Sequence, residues 1–290
     1  VTRIEKLTVI GVGLIGGSFA LALKRSGAVG RVVGAGRGAA NLEYALGRGI
    51  IDEVAADLGA AVAGADFVLV ATPVGAMQGV FAGIAPALER DAVVTDGGST
   101  KASVIAAARA GLRARIPQFV PAHPIAGSDE SGAAAAAPDL FHGREVVLTP
   151  LPESPPRTVD RARAVWQACG ARVTQMTPAQ HDAVLAAVSH LPHLVAYALM
   201  REIAGRADGP QLLAHAGSGF RDVTRLAASH PEMWRDICLA NREALLAELR
   251  RYQDELARLG AMLEQGDGAG LERAFAAART ARRSLAGGAG

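Results

Sequence analysis

Gly11-Val12-Gly13-Leu14-Ile15-Gly16-Gly17-Ser18-Phe19-Ala20 is the stretch on which the reading of this chain turns. A strand-like apolar run, residues 7–10, precedes it, and a helical run, residues 18–25, follows. A Gly-x-Gly-x-x-Gly loop between strand and helix is the pattern of a dinucleotide site. Gly11 permits the tight turn, Gly13 lets a pyrophosphate approach the backbone, and Gly16 lets helix and strand pack closely. The helix start around Leu14 and Ile15 offers free N–H groups and a positive dipole end to phosphates. The alternative is a glycine-rich turn in a related fold that has lost its ligand.

Outward from that loop, short β-branched runs fall near residues 31–35, 67–71, 92–96, 119–122, 145–148 and 172–175, with Ala-rich helical stretches between most of them. This alternation predicts an α/β Rossmann-type domain with a mainly parallel sheet wrapped on both faces. After Pro178 no strand pattern returns, and helical periodicity dominates, as in Leu245, Leu249, Tyr252, Leu256 and Leu259. The boundary is therefore placed near residue 178, with a dinucleotide-binding domain at 1–178 and an all-helical domain at 179–290 for substrate binding and dimerisation. The apolar runs 183–188 and 194–200 fit either a compact bundle core or, as we favour, a homodimer interface.

Composition narrows the function classes. Among 290 residues, 30 Lys and Arg face 28 Asp and Glu, and aromatics make up 4%. Neither a basic nucleic-acid surface nor a stacking platform is indicated. Cys169 and Cys238 lie far apart, with no metal-ligand or disulfide spacing. Free thiols and the lack of a basic-then-apolar leader in the sequence point to a cytoplasmic protein. Residues 67–88 carry no formal charge, but Pro73, Gly75, Gln78, Gly79, Gly83 and Pro86 interrupt them, so no membrane span is expected.

The tip of the second predicted strand should read the cofactor ribose. NAD enzymes place Asp or Glu there, whereas here Gly36-Arg37-Gly38 offers a guanidinium. Arg37 suits a 2′-phosphate, which favours NADP over NAD. Stacking of Arg37 on the adenine would serve either cofactor. Further segments fall at predicted strand ends, where ligands gather in such sheets: Thr72-Pro73, Ser99 within Asp96–Lys101, and His123 within residues 121–129. Opposite a nicotinamide, His123 is placed to take a proton from a hydroxyl as hydride leaves, although a structural role is the plain alternative. His190 and His193, three apart, would share a helix face; no third ligand motif completes a metal site, and none is expected. Arg225 fits a carboxylate clamp or an internal ion pair with Asp222.

Five segments in order, GVGLIGGSFA at 11–20, DGGSTK at 96–101, AHPIAGSDESG at 122–132, SHLPHLVA at 189–196 and GFRDVTRLAASHPEMWRDICLAN at 219–241, resemble the prephenate/arogenate dehydrogenase family of tyrosine biosynthesis. The resemblance runs from about residue 7 to about residue 252. It implies oxidative decarboxylation of a cyclohexadienyl acid, with hydride passing to the nicotinamide. It also implies that His123 accepts the proton of the ring 4-hydroxyl, that Ser99 orients it, and that Arg225 and His193 hold the substrate. Asp129 would attract the ammonium of arogenate, or else merely cap its loop. A β-hydroxyacid dehydrogenase is the nearest enzyme rival, but that family uses a Lys on the helix linking the domains, and Lys occurs here only at 6, 24 and 101. A dinucleotide-binding protein without catalysis is the rival from another class.

Overall fold

Six strands run parallel in the order β3-β2-β1-β4-β5-β6, with β1 at Ile4–Ile10, β2 at Val29–Ala35, β3 at Glu53–Val54, β4 at Phe67–Val70, β5 at Val93–Asp96 and β6 at Phe119–Val120. The computed structural model describes residues 3–127 and 130–287. The strand order reverses direction between β1 and β4, the place where such sheets open a crevice beyond their carboxyl ends. Register is set by Ile10, which pairs with Ala35 on one side and Val70 on the other. Every residue of β4 and β5 is buried, as the unbroken run Phe67-Val68-Leu69-Val70 requires of central parallel strands.

The expected run at 119–122 divides. Pro121 has no N–H for a ladder, and the chain leaves β6 there to enter a second sheet. That sheet holds β7 (Ala122–Pro124), β8 (Glu145–Leu148) and β9 (Arg172–Gln175) in the order β7-β8-β9. His123 is thus not past a strand end, as expected, but inside β7, paired antiparallel with Val147. β3 was missed because two exposed residues carry no periodic signal.

Helices cover the main sheet. Phe19 on the helix Leu14–Arg25 meets Trp166 on Pro156–Ala168 edge-on, with centroids 4.6 Å apart, and lies 6.1 Å from Phe67 of β4. Burying each such ring contributes about 1.5–3 kcal/mol. Beyond β9 the described chain is helical. The fold separates into two compact units, residues 1–242 and 243–290. The first contains both sheets and the helices through Pro231–Ala240; the second contains Arg242–Gln265, from Glu243 onward, and Gly268–Gly287.

Candidate active site

Two adjoining cavities open at the carboxyl ends of the strands. The first, about 690 Å³, is lined by Gly11, Gly13, Arg37, Asn41, Thr72 and Pro73, among others. Gly11 has φ +95°, and a Cβ there would meet Ala71 O at 2.5 Å. At Gly13 a Cβ would find nothing within 4 Å, so its backbone faces open space. Gly16 packs against Gly11 and Val9, the close helix–strand approach expected of it. The Thr72 hydroxyl is buried without a hydrogen-bond partner. A glycine cradle, a helix start without a side-chain cap at Gly13 and an orphaned hydroxyl together fit a dinucleotide. Arg37, exposed, stands just beyond β2 on the rim of this cavity. Asn41 fastens the far side: its amide donates to Val12 O at 2.7 Å, and its carbonyl accepts from Ala133 N at 2.8 Å.

The second cavity, about 390 Å³, shares Gly13, Ala71 and Gly132 with the first. Leu14, Ile15, Ser99, His123, His190 and Trp234 also line it. The structure thus brings Ser99 and His123 together from separate sheets. What joins them is a buried cluster below. Asp96, at the end of β5, accepts from Gly98 N and the Lys101 ammonium on one oxygen and from Ala122 N on the other. Lys101 Nζ is 2.5 Å from Asp96 and donates to Ala122 O at 2.6 Å, with both side chains fully buried. The Asp96–Lys101 loop and the first peptide of β7 are therefore one hydrogen-bonded piece.

His123 Nδ1 lies 2.8 Å from His181 Nε2, and His181 Nδ1 lies 2.8 Å from Asp182 Oδ1. His181 and Asp182 belong to the helix Pro178–Leu185, which a Thr177–Gln180 capping box starts. Asp182 also accepts from the backbone N–H groups of Lys101 and Ala102, capping the helix Ala102–Leu112 from another part of the fold. Burial pushes the His123 imidazolium well below the usual histidine range, and the Lys101 charge adds to the shift. Burial alone would raise the Asp182 carboxyl, but the bonds from His181 and the two backbone N–H groups outweigh it and hold the group low.

His190 closes the back of the site. It ends a π-helical turn, Ala186–His190, that joins Pro178–Leu185 to Leu191–Ala204. Its Nδ1 is 3.1 Å from the Asn241 amide, and burial lowers it to about 4. Such turns, one residue wider than the α-helix, are frequent at functional sites. His193 stacks flat on Trp234 with centroids 3.5 Å apart, and its Nδ1 is 2.9 Å from Ser189 O. His190 meets the same indole edge-on at 6.1 Å.

The cavity wall does not include every expected site residue. His193 is outside the lining and stacks on Trp234, which belongs to it, and Arg225 is exposed on the turn Arg225–Ala228, also outside the lining. Asp129 lies outside the described residues. His181, Asp182, Lys101, His190, Trp234 and Asn241 were not anticipated as site residues. The adjacent His181-Asp182 pair inside an apolar helix was the readable signal, since buried polar neighbours need partners.

Comparison with known proteins converges on one family. The prephenate dehydrogenase nucleotide-binding domain matches residues 19–175, and the prephenate dehydrogenase dimerization domain matches residues 177–277. The chain belongs to the prephenate dehydrogenase family. Among its relatives, the cyclohexadienyl dehydrogenase of Zymomonas mobilis is 36% identical, over 98% of this chain and 97% of that protein. The crystal structure of A. aeolicus prephenate dehydrogenase, in complex with hydroxyphenyl propionate and NAD+, superposes with TM-score 0.91 at 32% identity, covering 97% of this chain and 98% of that one. Synechocystis arogenate dehydrogenase gives TM-score 0.82 at 31% identity, over 97% and 100% of the two chains. As a prephenate dehydrogenase family member, this chain is an oxidoreductase of tyrosine biosynthesis that uses a nicotinamide dinucleotide.

Proposed function

We propose that this enzyme oxidises and decarboxylates a cyclohexadienyl acid, prephenate or arogenate, to 4-hydroxyphenylpyruvate or tyrosine, with NADP+ as the preferred hydride acceptor and NAD+ as the alternative. The observation that carries this reading is a buried histidine, held neutral, on the wall of a cavity that opens into a dinucleotide cradle.

Gly11, Gly13, Leu14, Ile15 and Gly16 would hold the pyrophosphate, Thr72 and Pro73 would flank the cofactor, and Arg37 would take the 2′-phosphate. Bound there, the nicotinamide supplies the hydride acceptor. His123 offers its ring nitrogen remote from His181 to the substrate 4-hydroxyl, and Ser99 orients that hydroxyl. As C4 loses hydride, His123 holds the hydroxyl proton. Loss of CO2 from C1 returns the bonding electrons to the ring and leaves a phenolate, to which His123 gives the proton back. The net reaction therefore releases no proton from the base. His123 supplies general base catalysis, and Ser99 with the cavity walls supplies orientation.

Arg225 and His193 are assigned to the substrate carboxylates, Arg225 from the cavity's outer side and His193 with Trp234. A homodimer in the cytoplasm, with the helical part after residue 178 forming the contact, completes the proposal. The family described as a dimerization domain over residues 177–277 supports it.

The test is absorbance of reduced nicotinamide with purified protein, each substrate being paired with each cofactor. Turnover of prephenate or arogenate is the expected result. Cofactor binding with no turnover on either acid would leave a dinucleotide-binding protein without this activity.

A further inference from the structure

Asp182 ionised can only accept hydrogen bonds. His181 Nδ1, 2.8 Å from Asp182 Oδ1, must therefore carry a hydrogen. His181 is fully buried, and the buried Lys101 ammonium acts on both of its partners, His123 and Asp182. The Asp182 carboxylate is already matched by the N–H groups of Lys101 and Ala102 at 2.7 and 2.8 Å. A second buried cation on His181 would be costly there. With its one ring hydrogen committed to Asp182, His181 turns a bare Nε2 toward His123. The 2.8 Å contact between the rings requires one hydrogen, so His123 must supply it from Nδ1.

We infer that His181 and Asp182 are positioning residues that lock His123 in the tautomer with Nδ1–H turned inward and Nε2 bare toward the cavity. This is the tautomer a base needs, and a solitary histidine holds it only part of the time. The chain Asp182–His181–His123 spans two elements far apart in sequence and imposes direction on each link in turn. The other charged or titratable groups around it are Lys101 and Asp96 beneath, His190 behind, and Glu130 and His230 on the cavity wall.

The inference deepens the base role proposed for His123, yet it is tested without relying on turnover. Long-range 15N–1H correlation spectra of histidine-labelled protein read the tautomer of each ring, and His123→Asn assigns the His123 signals. We expect Nδ1 of His123 to be pyrrole-like and Nε2 pyridine-like in the wild type at neutral pH. The opposite pattern would overturn the inference, whether or not the protein turns over substrate.

Kinetics supply the second arm. His181→Phe should mix the two tautomers and lower kcat by about 100-fold with KM changed by less than about threefold, the scale seen when an orienting group is removed from a histidine base. His181→Gln, which accepts from His123 and donates to Asp182, should recover at least about tenfold of that loss. Unchanged kcat in His181→Phe with a single tautomer retained would overturn the positioning role. If His181→Phe fails to fold, the wild-type spectrum and His181→Gln decide the matter. A rate in His123→Asn equal to the wild type would remove the base role alone and leave the tautomer result standing.

Discussion

His123 carries the heaviest demands on any single side chain here. In the proposed reaction it must be neutral to accept a proton, and burial, with the Lys101 charge, holds its imidazolium well below the ordinary range. The sign of the pH effect follows. kcat/KM should stay level through about pH 6.5, the ordinary histidine value, and fall only in more acid solution. An acidic limb centred above neutrality would contradict this. His123→Asn should cut kcat by about 10²–10⁴-fold while fluorescence titration shows cofactor affinity unchanged.

Stability has its own pH dependence. His190, lowered to about 4, stays neutral in the folded chain while its unfolded counterpart protonates near the ordinary histidine value of 6.5. Between those values the unfolded state binds the extra proton, so stability falls as pH falls, by up to roughly 1.4 kcal/mol per pH unit for each such histidine. Urea midpoints at pH 7 and pH 5 should show it.

At the level of the element, the loop after β5 and the start of β7 are held by one ion pair. Lys101→Met would leave Asp96 buried and unpaired, which costs about 3–5 kcal/mol; denaturant melts should record a loss of that order. Arg37, just past β2, is the residue proposed to take the cofactor 2′-phosphate. Arg37→Ala should lower kcat/KM with NADP+ by about 10–100-fold, the size of a lost charge-assisted contact, and leave that with NAD+ within about threefold.

The legibility of the sequence also divides by element. β1, β2, β4 and β5 could be read because unbroken apolar runs end in glycine or in polar residues whose backbone geometry is constrained. Ser99 and Thr72, which line the two cavities, were singled out for the same reason: strand ends are where such a sheet gathers ligands. β3 could not be read, being two exposed residues. The partners of His123 were hidden because they lie on a helix whose neighbours are Ala, Val and Leu, and local pattern does not report a pairing 58 residues away. Arg225 was read from its segment alone, and that segment does not bring it to the cavity wall.

For the whole molecule, the proposed homodimer has a physical basis in each unit. Pro178–Ala204 is long and apolar enough to cross a bilayer by length and composition, with much of it outside the core. It also carries buried His181, Asp182 and His190 in a polar network, so a protein partner suits its outer face better than lipid. In the second unit, Leu249, Leu256 and Leu263 recur at seven-residue spacing on Arg242–Gln265, and the latter two are 49% and 68% exposed. Such a stripe seldom remains uncovered in a monomer. Sedimentation should give about twice the 29.7 kDa chain mass. Leu256→Glu combined with Leu263→Glu should shift it toward the single-chain value.

The π-helical turn at Ala186–His190 makes this enzyme intolerant of a length change that its surface would otherwise permit. Val188 within it is 69% exposed, so losing its side chain empties no core. Removing the residue altogether would let an ordinary helix form straight through. The helix Leu191–Ala204 would then turn by about 100° about its axis relative to Pro178–Leu185 and to the separate helix that carries Trp234. His193 would lift off Trp234, while His181 and Asp182, upstream, would stay in place. A one-codon deletion at an exposed valine would therefore dismantle one wall of the site and spare the other, and evolution can drift in residue type at this turn far more freely than in residue number.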